Sequence, residues 1–142
     1  MRLVCDTNII ISGLLWGGLP YRLLERIEAG RDTLFVSRAM LEELQSVLQR
    51  PKLKKILDRE TMQWADVVRW VVANSTLVVP RPLSVLVVKA DPSDDKFLAC
   101  AKAASADAVV TGDLHLLALG SWEGIRILTA AAFFKQSGCS PH

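Results

Sequence analysis

Two aspartates stand directly after apolar segments of this chain. Leu3-Val4-Cys5 runs into Asp6, and Ala108-Val109-Val110-Thr111 runs into Gly112-Asp113. Each, taken singly, reads as the cap of a following helix, because a carboxylate accepts the free N–H groups of a first turn. Two further acids are sorted from their neighbours by helix geometry. After Ser37, Met40, Leu41, Leu44, Val47 and Leu48 form an apolar stripe, with Glu43 on its edge and Glu42 pointing away. In Asp91-Pro92-Ser93-Asp94-Asp95, Asp94 shares the face of Phe97, Leu98 and Ala101, while Asp95 lies on the outer side near Lys102. A favourable interaction with the helix dipole explains one acid in that cluster well and three poorly. Four carboxylates directed at one region repel one another and call for a cation. Hard oxygen donors without converging His or Cys suit Mg2+ or Mn2+. Such ions hold a phosphate, lower the pKa of a bound water and stabilise the departing oxygen.

The elements that must position these acids alternate along the chain. Strands are expected at 2–5, 33–36, 76–79, 108–111 and 126–128. Helices are expected at 9–15, 20–29, 38–50, 60–74, 92–104, just after Asp113, and at 130–136. Gly30 closes the second helix, Ser37 caps the third and Pro51 interrupts it. Short apolar strands between helices indicate an α/β fold, a three-layer α/β/α sandwich around a mainly parallel sheet. In such sheets the functional crevice lies beyond the carboxyl ends of the strands, which is where Asp6 and Asp113 stand.

The chain has 142 residues, 51% of them hydrophobic and 23% charged, which suits one domain and excludes a disordered polyampholyte. Residues 1–142 are read as that single domain, with a disordered tail from about 137. A net charge of +2 is too small to advertise a nucleic-acid binder. Three cysteines, Cys5, Cys100 and Cys139, show no paired spacing, so neither a disulfide framework nor a zinc site is expected. No signal peptide precedes the first strand and no apolar run reaches membrane-spanning length, which points to a cytoplasmic protein without membrane contact. No G-x-G-x-x-G follows the first strand, which excludes a Rossmann dehydrogenase.

Val4-Cys5-Asp6-Thr7-Asn8, then Ser37 through Glu43-Leu44 to Arg50-Pro51-Lys52, then Asp91-Pro92-Ser93-Asp94 with Phe97-Leu98-Ala99, and Ala106-Asp107 through Thr111-Gly112-Asp113 form an ordered set. In that order they resemble the PIN-domain ribonucleases, especially the toxin components of toxin–antitoxin pairs, over most of the chain to about Leu119. The resemblance implies a metal-dependent endoribonuclease whose pocket is built from Asp6, Glu43, Asp94 and Asp113. It adds Asn8, Thr111 and, more weakly, Ser12 as polar groups around the pocket. Local turn and cap hydrogen bonds explain those three about as well. Asp94 and Asp95 are adjacent, so the third acid is a choice. Helix facing favours Asp94, with Asp91 as an outer partner. The resemblance also implies an RNA substrate, a homodimer and an antitoxin protein partner. A non-catalytic PIN-like module that binds RNA or protein is the alternative, though it has no need of four converging carboxylates.

Three other features carry less. The basic run Arg50-Pro51-Lys52-Leu53-Lys54-Lys55 reads first as a solvated face and second as an RNA contact. Trp64, Val67, Val68 and Val71 read as core, whereas Trp70 falls among polar neighbours and reads as a partner surface or a residue covered by its own chain. His115, two residues after Asp113, reads as a surface residue or one behind the metal ligands.

Overall fold

The computed structural model of the protein describes residues 1–83, 87–88 and 92–137. Asp91, Cys139 and the tail from 138 onward lie outside the described residues. Six strands form one sheet: β1 (Arg2–Cys5), β2 (Thr33–Val36), β3 (Ser75–Leu77), β4 (Ala108–Val110), β5 (Ser121–Trp122) and β6 (Ile125–Leu128). Their order is β3-β2-β1-β4-β6-β5, parallel throughout except for the antiparallel β5–β6 pair. Leu3, Val4 and Cys5 are all fully buried, as are Ala108, Val109 and Val110. Successive strand residues point to opposite faces, so helices must cover both. The result is the expected α/β/α sandwich.

The helices are α1 (Thr7–Leu15), α2 (Gly18–Glu28), α3 (Arg38–Leu48), α4 (Pro51–Arg59), α5 (Trp64–Ala73), α6 (Asp95–Ala104), α7 (Leu114–Leu117) and α8 (Ala130–Ser137). A single 3-10 turn, Pro92–Asp94, leads into α6. Two of these helices depart from the sequence reading. Pro51 does not merely interrupt α3; it occupies the first turn of α4, where its missing N–H costs nothing. The next helix accordingly starts at Trp64, fixed by a capping box between Gln63 and Asp66, rather than at 60. The strand β5 was not anticipated. It pairs with β6 through Glu123-Gly124, both at positive φ, the backbone of a type I′ hairpin turn.

Helices α1 and α2 pack closely because Gly13 carries no side chain. A Cβ there would stand 2.5 Å from Leu24 Cδ1 and 3.0 Å from the Pro20 carbonyl oxygen. Trp64 departs from its expected place in the core, and Trp70 takes the second of its two readings, partly covered by its own chain. Trp64 is 37% exposed, while Trp70 is half-buried against its own core. A helix start four residues later than expected leaves Trp64 at the first position of α5.

The strand order also fixes where a site can form. From β1 the chain proceeds outward through β2 and β3, then returns to place β4 and β6 on the other side of β1. The order therefore reverses between β1 and β4, and a crevice opens at the carboxyl ends of that adjacent pair.

Candidate active site

Asp6 and Asp113 flank this crevice, because Cys5 pairs with Val110 at the last rung of the β1–β4 ladder. Both aspartates are helix caps, and both also line the cleft. Asp6 Oδ1 accepts from the Ile9 backbone N–H at 2.9 Å, capping α1, while Oδ2 accepts from the Thr111 hydroxyl. Thr111 Oγ1 in turn accepts from the Asp113 N–H at 2.9 Å. Asp113 Oδ1 caps α7 by accepting from the N–H groups of His115 and Leu116, at 2.8 and 3.1 Å. The hydroxyl of Thr111 thus ties the two acids together from beneath, and that residue is fully buried.

Burial holds the Asp6 carboxyl above the usual carboxylate range. The hydrogen bonds from Thr111, Ile9 and Gly112 oppose that shift, and the Asp113 charge adds to it.

The remaining acids arrive from helices. Ser37 caps α3 by accepting from the Met40 N–H at 3.4 Å, which sets the helical phase. Glu43 then enters the cleft, whereas Glu42 pairs with Arg38 in solvent at 3.3 Å. Asp94 ends the 3-10 turn and stands at the N-cap of α6, yet its side chain makes no cap hydrogen bond. It is buried and lines the cleft. Asp95 does different work: its two oxygens accept from the Val88 and Val87 N–H groups at 2.7 and 3.0 Å, pinning that loop. The two adjacent acids are separated by geometry into a cleft residue and a loop clamp.

Asp6, Glu43, Asp94 and Asp113 therefore line one cleft of about 120 Å³, together with Thr7, Asn8, Val47, Arg50 and Phe97. Ser12 is not among the lining residues; its carbonyl closes α1 by accepting from Trp16 and Gly17. Two cations stand with the acids. Arg50, from the basic run, lines the cleft, and Lys96 Nζ meets Glu43 Oε2 at 2.6 Å. Sequence reading had no place for Lys96. No acid stands three or four residues from Lys96, and its contact with Glu43, on another helix, has no local signal in the sequence.

Donor atoms of Asp94, Asp113 and His115 all lie within 4.8 Å of one another. Oxygen donors from several segments fit a hard divalent cation, and the burial of Asp6 beside the Asp113 charge is a strain that such a cation would relieve. The thiols of Cys5 and Cys100 contribute nothing, since burial pushes Cys100 up to about 12 and Cys5 higher still.

The PIN domain family matches residues 2–115. The chain belongs to the PIN-domain family. A comparison with curated proteins gives no match. Among solved structures, the fold is similar to that of PAE2754 from Pyrobaculum aerophilum, with a TM-score of 0.56. The two are 14% identical over 97% of this chain and 98% of that one, a likeness that carries the fold alone. The PIN fold is of nuclease type, and here it brings together Asp94, Asp113 and His115, a group that could hold a metal ion. Among the described residues, no helix of this PIN domain is long and apolar enough to cross a membrane.

Proposed function

We propose that this PIN domain is a metal-dependent endoribonuclease that hydrolyses RNA phosphodiester bonds. The observation that carries the reading is the meeting of Asp6, Glu43, Asp94 and Asp113, from four separate segments, in one cleft. A binding module gains nothing from four carboxylates whose mutual repulsion must be offset.

Asp6, Asp94 and Asp113, with Glu43 beside them, would hold Mg2+ or Mn2+. The ion would supply Lewis-acid charge for a phosphate and acidify a water. The protein's part is positioning. Thr111 fixes the second oxygen of Asp6 and the backbone of Asp113, so these two acids keep their spacing without substrate. Lys96 holds the Glu43 carboxylate in one place. Arg50 and Asn8 stand at the cleft where an RNA backbone would pass, and Arg50 offers a charge to its phosphates. Asp91, outside the described residues, remains an outer partner of Asp94 in this reading. Ser12 has at most a supporting role.

The biological role that follows is the toxin of a toxin–antitoxin pair: a cytoplasmic single-domain protein, homodimeric and restrained by an antitoxin. Trp70 is an unsuitable anchor for the dimer, being packed on its own core. Val72, Leu77 and Val79, exposed around β3, are the better candidates. The test is cleavage of single-stranded RNA by the full chain with Mg2+ or Mn2+, repeated with Asp6→Asn and with chelator. Metal-dependent cleavage lost in the variant supports the reading. RNA binding without cleavage under any of these conditions would establish the binding module instead.

A further inference from the structure

His115 does not itself line the acidic cleft, but the geometry of α7 brings it beside Asp113, which does. Asp113 caps that helix, and His115 follows two residues later. Helical side chains lean toward the N-terminus, so the imidazole leans back over the capping carboxylate. Its Nδ1 stands 3.9 Å from Asp113 Oδ1. One donor atom each from Asp94, Asp113 and His115 lies within 4.8 Å of the other two. Ligand atoms around a single ion with bonds of about 2.1–2.2 Å stand at most about 4.4 Å apart, so a small closure suffices for one ion to touch all three. Glu43, by contrast, is engaged by Lys96 at 2.6 Å and stands outside this trio.

We propose that His115 completes the metal site with a nitrogen donor and thereby makes it select Mn2+ over Mg2+. This rests on the metal-site reading above and deepens it by naming the ion. The chemistry follows from the donors. Mg2+ prefers an all-oxygen octahedron and retains its waters, whereas imidazole nitrogen favours divalent transition metals. Carboxylates joined by one imidazole form a mixed set that discriminates between ions an all-carboxylate site would treat more alike.

The experiment uses the full chain, stripped of metal, and calorimetric titration with MnCl2 and with MgCl2, for wild type and His115→Ala. The side chain of His115 is more than half exposed, so the substitution leaves the core intact, which circular dichroism checks. The wild type is expected to bind Mn2+ at least about tenfold more tightly than Mg2+. The variant should lose about tenfold in Mn2+ affinity and change little toward Mg2+. Pulsed electron paramagnetic resonance on the Mn2+-loaded protein should show nitrogen coupling in wild type and none in the variant. Tight binding of both ions, unaltered by the substitution and without nitrogen coupling, overturns the role of His115 and leaves the acidic site standing. Binding of neither ion to the wild type overturns both.

Discussion

Thr111→Val removes a hydroxyl and almost nothing else. The hydroxyl donates to Asp6 Oδ2 and accepts from the Asp113 N–H at 2.9 Å, and no solvent reaches Thr111 to replace either bond. A hydrogen bond to a charged group contributes about 1.5–3 kcal/mol, and a neutral one about 0.5–1.5 kcal/mol. With Asp6 ionised, the metal-free variant should therefore lose about 2–4.5 kcal/mol. Thr111→Ser keeps the hydroxyl and drops one methyl, at about 1 kcal/mol.

The two variants should also respond differently to pH. The Thr111 hydrogen bond is one of the effects that lowers the Asp6 pKa, so its loss drives that pKa further above the ordinary value. Once Asp6 is protonated the missing donor matters less, and the Val penalty should shrink as pH falls. Urea unfolding of both variants between pH 4 and pH 8 measures this directly. A Val penalty equal to the Ser penalty, or one independent of pH, would refute the view that Thr111 supports the two carboxylates from beneath.

Asp6→Asn should stabilise the metal-free protein above the folded-state pKa of Asp6 but not below the ordinary carboxylate pKa. The folded-state pKa is raised, so the stability that wild type enjoys below the ordinary carboxylate pKa is lost as pH rises through the folded value. The uncharged variant escapes that loss, and denaturant midpoints across pH would show the gap opening. Glu43→Gln should reduce RNA cleavage by roughly 100-fold or more, while Glu42→Gln leaves most of it, because only Glu43 enters the cleft. Gly13→Ala should cost about 1–3 kcal/mol by forcing Leu24 and the Pro20 carbonyl away from α1, measured as a lowered urea midpoint.

Much of this architecture was legible because hydrophobic period and caps agree. Thr33–Val36 and the start of α3 at Arg38 fall where an apolar run meets Ser37. The apolar stripe of α3 separates Glu43 from Glu42, and the face of Phe97, Leu98 and Ala101 on α6 separates Asp94 from Asp95. The misreadings share a local cause. Pro51 carries two meanings, end of one helix and start of another, and only the second was overlooked; Leu53 and Leu57 are too sparse a stripe to announce α4. The two-residue strand β5 is shorter than any alternation that could reveal it. Lys96 and His115 needed three dimensions. One pairs across elements 53 residues apart, and the other depends on how a short helix leans.

The charge within the cleft bears on how many ions it takes. Asp6, Glu43, Asp94 and Asp113 stand with Arg50 and Lys96, so four negative groups meet two positive ones. Among the described residues, two negative charges remain when all four carboxylates are ionised, which is what one divalent ion cancels. A second ion would leave the empty cleft positive by two, in a setting where the Asp6 carboxyl is already desolvated. Capping does not free the acids from this arithmetic: a bond to a backbone N–H occupies one oxygen and leaves the charge in place, as Asp6 and Asp113 both illustrate. RNA changes the balance, since each phosphate brings one negative charge into the same space. Without RNA, a calorimetric isotherm with MnCl2 should therefore give one ion per chain in the tight phase, and Lys96→Met should strengthen that binding by uncovering Glu43. Two tight ions in the free protein, or weaker binding after Lys96→Met, would mean that the cations do not offset the carboxylates as their positions suggest.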